Sequence, residues 1–181
     1  MTELQPDNAR GFQTLGTAYH QLNDLANALT NYQRAIALSP SSAAYSNIGT
    51  IYFGRAQFAE AARAYQSAIG LSPQSATTHR NLANALEAMG QQSNAGEAYK
   101  VAVHLTTSTL RVNPDDARTL ALRAYCEAKL GATTQAQRDI DLAQMVSTAN
   151  PTPSRAPGAP SPGRPCPSSA PPASGRGTDS A

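Results

Sequence analysis

Apolar residues recur along most of this chain at the i, i+3, i+4, i+7 spacing of amphipathic helices. The stretches run about 12–14 residues, an ordinary helix length. Short polar breaks such as Asn23-Asp24 and Gly90-Gln91 separate them. Prolines punctuate the pattern: Pro6, Pro40, Pro73 and Pro114 stand 34, 33 and 41 residues apart. Three of them close similar phrases, ALSP, GLSP and RVNP, and Pro6 closes ELQP. Proline has no backbone N–H and disfavours helix at the residue before it, so each phrase ends a helix. The polar residues that follow suit the N-cap of the next helix: Asp7 or Asn8, Ser41 or Ser42, Ser75, and Asp115 or Asp116. Two helices between successive prolines, repeated at a near-constant period, predict stacked helix pairs. The expected units are 9–41, 42–75, 76–116 and 117–149, an all-α solenoid of eight helices.

The interval of 41 is 34 plus 7. Seven residues are about two helical turns, so an insertion of that size lengthens a helix without rotating its apolar face. The stretch VAVHLTTSTLRV contains no Gly, Pro or Asp. One long helix is therefore expected over residues 92–111.

Small residues recur where paired helices must cross closely. They are Gly16, Gly49, Ala83 and Ala124 on the first helices, and Ala28, Ala61, Ala95 and Ala136 on the second. Unit one reads Phe12-x-x-Leu15-Gly16-x-x-Tyr19, then Ala28, Tyr32, Ala35 and Pro40. Unit two repeats it with Tyr45, Ile48-Gly49, Tyr52, Ala61, Tyr65, Ala68 and Pro73. Unit three keeps His79, Leu82-Ala83, Leu86, Gly90, Ala95, Tyr99 and Ala102. Unit four keeps Leu120, Ala124, Gly131, Ala136, Ile140 and Ala143, but has Arg123 and Glu127 where unit one has Leu15 and Tyr19. From residue 9 to about 148 this pattern resembles the tetratricopeptide-repeat (TPR) signature.

The resemblance implies a right-handed superhelix of antiparallel helix pairs whose first helices line a concave groove. The family's groove positions fall on Arg10, Gln13, Thr17 and His20 in unit one, and on Ser46, Asn47, Thr50 and Phe53 in unit two. They continue with Arg80, Asn81, Asn84 and Glu87 in unit three, and with Arg118 and Tyr125 in unit four. This polar, amide-rich set suits an extended peptide, whose main chain needs donors and acceptors. The implied function is a protein–protein interaction scaffold or adaptor that takes a peptide or partner protein and no cofactor. Asn47 and Asn81 occupy equivalent positions and are candidates for a short amide ladder to a peptide backbone. Some family members clamp a C-terminal carboxylate with Lys and Arg beside Asn. The clamp's Lys positions here hold Gln13 or Ser46, and Thr77, so no clamp of that type is expected.

Composition and charge narrow the alternatives. Hydrophobic residues make up 40% of the chain, enough for a core, but aromatics are 6% and Trp is absent. Such a core leans on Ala and Leu and suits close-packed helices. The net charge is +2, yet residues 1–150 hold eleven Lys/Arg against eleven Asp/Glu. The excess comes from Arg155, Arg164 and Arg176 against Asp179. Without a dense basic face, nucleic acid is not an expected partner. No run of about 18 apolar residues occurs, and MTELQPDNAR has no signal-peptide core, so a cytoplasmic location is expected, with no membrane span.

The two cysteines, Cys126 and Cys166, form no CxxC pair and read as reduced thiols. Cys126, beside Glu127 and far from any evident cation, reads as buried and inert. His20, His79 and His104 are isolated, and no HExxH, GxSxG, Walker or GxGxxG pattern occurs. Asp115-Asp116 follows Pro114 at a helix start, where acids stabilise the positive end of the dipole. Asp139 and Asp141, two apart on a helix, do not face each other. Tyr19, Tyr32, Tyr45, Tyr52, Tyr65 and Tyr99 read as core at helical spacing. Neither a catalytic nor a metal site is expected, and the chain does not read as an enzyme.

The two ends read as cut. Leu4-Gln5-Pro6 matches the last turn of a second helix, so residues 1–8 read as the remnant of a preceding junction. At the other end Ile140 and Ala143 are expected to pack inside unit four. Leu142, Met145 and Val146 broaden the apolar surface of the last helix, with no polar capping helix after it. Residues 150–181 are rich in Pro, Ser, Gly and Ala and read as a disordered tail. Their Pro157–Pro160 and Pro162–Pro165 spacings match ligands of SH3-type domains. These ends suggest self-association through an uncapped solenoid, or a segment of a longer array. The lengthened helix before Asn113-Pro114-x-x-Ala117 resembles TPR arrays of larger bacterial signalling proteins. That implies an alternative role as a regulatory segment of a multidomain enzyme such as a kinase or cyclase.

The register itself is testable. Ala61→Leu places three extra carbons at a predicted helix crossing and is expected to cost about 1–3 kcal/mol by overpacking. Chemical denaturation checks this; a midpoint equal to the parent's means the assigned register is wrong.

Overall fold

The computed structural model describes residues 8–149; the expectations for residues 1–7 and for the Pro-rich tail lie outside them. The described chain is all α-helix. In order the helices are α1 (Ala9–Gln21), α2 (Leu25–Leu38), α3 (Ser42–Gly54), α4 (Phe58–Leu71), α5 (Ala76–Ala88), α6 (Gln92–Val112), α7 (Ala117–Lys129) and α8 (Thr133–Ala149). They pack as the pairs α1/α2, α3/α4, α5/α6 and α7/α8, and each pair stacks on the next. Between non-consecutive helices the main contact joins α3 to α5, so neighbouring first helices lie side by side.

The helix starts are those the proline pattern predicts. Asn8 Oδ1 accepts from the Gly11 N–H at 3.0 Å, and Ser41 Oγ from the Ala44 N–H at 3.4 Å. Ser75 Oγ accepts from Thr78 at 3.3 Å, and Asp116 Oδ1 from Arg118 and Thr119 at 3.1 and 3.2 Å. Each satisfies backbone donors that a helix start leaves open. The turn inside each pair needs one left-handed residue. Gly90 and Gly131 supply it at φ 75° and 82°, and Asn23 at 59°. In unit two Ala56 holds φ 57°, a conformation that costs an alanine roughly 1–2 kcal/mol.

The crossings follow the small residues. Ala28, Ala61, Ala83, Ala95, Ala124 and Ala136 are all buried. At Gly16 and Gly49 an added Cβ would stand 2.7 and 2.6 Å from ring carbons of Tyr32 and Tyr65. The glycines thus let the tyrosine rings of the second helices lie against the first. Tyr32, Tyr65 and Tyr99 are buried, whereas Tyr19, Tyr45 and Tyr52 are only partly covered. The core runs as two clusters, one around Tyr32, Ile48 and Ile51, the other around Tyr65, Leu86, Tyr99 and Cys126. The long helix is present: α6 has 21 residues and keeps one buried face through Ala95, Ala98, Tyr99, Ala102, Thr106 and Leu110. No helix among the described residues is long and apolar enough to cross a membrane.

Unit four departs from this plan. Ile140 takes the tyrosine position but does not pack inside; it is 39% exposed and borders an open groove with Ala117, Ala121 and Ala143. No further helix covers that side among the described residues, and an isoleucine is too short to reach the first helix as a tyrosine ring does. Leu142 and Met145 are exposed, as their positions suggested.

An ion pair lies between the two helices instead. Arg123 on α7 grips Asp139 on α8 with two hydrogen bonds, Nε to Oδ2 at 2.6 Å and Nη2 to Oδ1 at 2.7 Å. Glu127 comes within 3.9 Å of Arg123 Nε, but its Oε2 is buried without a hydrogen-bond partner. Burial pushes the Glu127 carboxyl above the usual carboxylate range; Asp139 adds to that push and Arg123 opposes it.

Asp139→Ala strands a largely buried Arg123 and is expected to cost about 2–3 kcal/mol, less than a fully buried pair because the arginine keeps some solvent. Arg123→Leu/Glu127→Leu/Asp139→Ala installs the residues of unit three, Leu82, Leu86 and Ala98, and is expected to unfold close to the parent. A triple variant as weak as the single one rules out this account. Glu127 gives a pH signature. Its folded pKa lies above its unfolded one, so its favourable contribution is present at low pH and is lost as pH rises through the folded value. Glu127→Gln is expected to stabilise the chain near pH 7, with the gain over the parent shrinking as pH falls into the carboxylate range. Urea unfolding at several pH values checks this; a gain that is absent or independent of pH overturns it.

Candidate peptide groove

The fourteen sequence-selected positions are all solvent-accessible, and they fall on α1, α3, α5 and α7. The structure ties many of them to the tyrosines of the second helices. Tyr32 OH donates to Thr17 Oγ1 at 3.2 Å and accepts from Asn47 Nδ2 at 3.1 Å, bridging α1 and α3. Gln13 Oε1 accepts from the Ser41 hydroxyl at 3.0 Å, a second link from α1 to the start of α3. Thr50 Oγ1 donates to its own helix at the Ser46 carbonyl, so its 3.3 Å contact with Tyr65 OH is a hydrogen bond donated by the tyrosine. Arg10, His20 and Arg118 are accessible, and their side chains make no hydrogen bond among the described residues.

Five of the candidates meet around one recess. Thr50 and Phe53 of α3, Arg80, Asn81 and Asn84 of α5, and Tyr65 below them line a pocket of about 280 Å³. Phe53 packs edge-on against Phe58 at 5.4 Å, which fixes that wall. Arg80 is fixed too. Its Nε and Nη2 donate to Asn81 Oδ1 at 3.2 and 2.9 Å, and its guanidinium carbon lies 5.8 Å from the centre of the Tyr125 ring. Asn47 donates to a tyrosine and Asn81 accepts from an arginine, so each spends part of its amide on the protein itself.

Between α5 and α7 the surface is closed by its own contacts. Tyr99 shares its hydroxyl proton between Asn84 Oδ1 at 2.6 Å and Glu87 Oε2 at 2.9 Å. Tyr125 donates to the same Asn84 oxygen at 3.0 Å. Lys129 Nζ holds both Glu87 oxygens, at 3.0 and 2.8 Å. The bond from Lys129 keeps the Glu87 carboxyl below its usual range and raises the lysine in turn. Burial, with Glu87 adding to it, pushes the Tyr99 hydroxyl far up, so it stays a donor. Lys129 and the hydroxyls of Tyr32, Tyr65 and Tyr99 are part of this face although sequence reading placed none of them there. The available signal was the recurrence of Tyr rather than Phe at a buried position, since a buried hydroxyl needs a partner.

Other polar groups serve structure. His79 Nε2 lies 2.9 Å from the Pro73 carbonyl and fastens the loop before α5. Cys126 is fully buried, and desolvation pushes its thiol up to about 11, so it is protonated at neutral pH.

Part of this repeat array is also recognised in the sequence. The family model for the TPR repeat matches twice, over residues 16–55 and 49–90. The crystal structure of MamA is similar in fold at 21% identity, covering 80% of this chain and 81% of that one, with a TM-score of 0.56. MamA 41-end from Desulfovibrio magneticus RS-1 is similar at 16% identity, covering 81% and 79%, with a TM-score of 0.56. The MamA RS-1 ArsTM double mutant gives 16%, 82% and 80%, and 0.57. At these identities the likeness is one of fold. No curated protein matches this chain in sequence. The class is therefore plain: residues 16–90 are tetratricopeptide repeats, and the described chain has the fold of a TPR solenoid. Solenoids of this kind are protein-interaction scaffolds, whose stacked repeats present extended binding surfaces.

Proposed function

We propose that this chain is a non-catalytic scaffold that binds an extended peptide, or an extended segment of a partner protein, along the face of its first helices. The observation that carries this reading is the recess between α3 and α5, where Thr50, Phe53, Arg80, Asn81 and Asn84 converge. It combines an aromatic wall with fixed polar groups, the mixture that orients a peptide's main chain and side chains. The partner is a protein rather than nucleic acid, because residues 1–150 hold eleven Lys/Arg against eleven Asp/Glu and form no dense basic face. No cofactor is required for binding of this kind. A cytoplasmic setting fits a chain that keeps a free, buried Cys126.

Affinity capture with the full chain tests the reading. Asn47→Ala/Asn81→Ala removes one side chain at the α1/α3 contact and one in the recess. It is expected to weaken capture of groove partners about tenfold. Arg63→Ala, on the outer helix α4 and exposed, serves as the control and is expected to bind like the parent. Equal recovery of every partner by the groove variant places binding elsewhere.

A further inference from the structure

We infer that the recess between α3 and α5 reads an acidic side chain, Asp or Glu, within the bound segment. This deepens the groove reading and rests on it. The first argument is the state of the donors and acceptors. Asn81 Oδ1 is taken by Arg80, and Asn84 Oδ1 by Tyr99 and Tyr125. Thr50 spends its proton on Ser46, and its oxygen receives Tyr65. What the recess still offers is mainly donors: the Asn81 and Asn84 amide nitrogens and the Nη1–Nη2 edge of Arg80. That edge is a planar fork with the spacing of a carboxylate. Asn81 and the Tyr125 ring hold the guanidinium in place, so little further ordering is needed when a ligand arrives.

The second argument is charge. The first helices α1, α3, α5 and α7 carry Arg10, Arg80, Arg118, Arg123 and Lys129, but only Glu87 and Glu127 as acids. Lys129 is neutralised by Glu87, and Arg123 by Asp139. Arg10, Arg80 and Arg118 join no ion pair among the described residues, although Arg118 sits in the field of Asp116. The first helices therefore hold a positive excess, the acids that lessen it, Asp24, Asp115 and Asp116, lie in the connecting segments, and Arg80 is the unpaired cation set in the recess. A terminal carboxylate is the less suitable source. It needs several convergent cations, and the recess is lined by one.

The test uses the immobilised full chain and three pools of randomised nonapeptides. One pool is C-terminally amidated with a fixed central Glu, one is amidated with a fixed central Gln, and one has the central Gln and a free C-terminal carboxylate. Retention is quantified by mass spectrometry. The Glu pool is expected to be retained about tenfold more than the amidated Gln pool. Arg80→Gln is expected to bring that ratio to about one, and Arg80→Lys to restore part of it. A parent ratio of one, or a ratio unchanged in Arg80→Gln, overturns the inference. So does selective retention of the free-carboxylate pool, which points to a chain terminus instead. Asn47→Ala/Asn81→Ala separates the two levels. If it lowers retention of both amidated pools while their ratio in the parent is one, the groove stands and the acidic preference falls. If it changes neither pool, the groove reading itself fails. Thermal melting accompanies each variant; Arg80→Gln is expected to keep the parent's cooperative transition, because its remaining contacts are at the surface.

Discussion

Each helix pair depends on one close crossing, and in units one to three that crossing is built from a small residue and a tyrosine. Gly16 and Gly49 leave space that the rings of Tyr32 and Tyr65 occupy; a methyl group there would overlap them. Ala83 and Tyr99 take the same places in unit three, both buried. The ring fills the core, and its hydroxyl emerges on the next residue of the first helix: Thr17, Thr50 and Asn84 in turn. One side chain therefore closes the pair and supplies a polar floor to the face outside it. A phenylalanine at these positions would provide the packing and leave that floor without its hydroxyls.

This coupling explains what the sequence makes legible. Helix number, caps and the long α6 follow from local signals, because a proline, a cap or a helical spacing acts within a few residues. Ser41, Ser75 and Asp116 cap their helices wherever the rest of the chain goes. The face of the first helices is legible in the same way, since its positions repeat with the unit. The particular bonds on that face are set by separations that local patterns do not encode. Asn84 meets Tyr125 across 41 residues and Glu87 meets Lys129 across 42. Arg123 and Asp139 are 16 apart, and although Arg123 is visibly foreign at a leucine position, nothing near it in sequence names its partner.

Unit four shows what happens when the crossing is recast. Ile140 replaces the tyrosine, and the aromatic ring moves to the first helix as Tyr125, which stacks edge-on against Tyr99 at 6.3 Å. The hydroxyl still reaches Asn84, but now from the neighbouring unit, so it ties units three and four together. The lengthened α6 accompanies this change. Its added turns bring Thr107 and Leu110 beside Leu120 and Arg123. Arg123 is thus contained between α6, α7 and α8, where its charge needs Asp139. The hydrogen bonds that hold unit four replace contacts that methyl and ring carbons make elsewhere.

The same contacts divide the face of the first helices into two parts with different chemistry. Between α5 and α7, Glu87, Lys129, Tyr99 and Tyr125 satisfy one another, and a ligand that engages them must first break bonds already made. Between α3 and α5 the acceptors are spent, while the Asn81 and Asn84 amide nitrogens and one edge of Arg80 are not. On the proposed reading, a charged acceptor replaces solvent at those donors without disturbing the helices. Arg80 stands at the boundary: Asn81 and Tyr125 fix its plane, and the edge they leave untouched is the part of it that can recognise something else. The closed side thus orients the open one, and the selective element proposed for this surface lies in unit three.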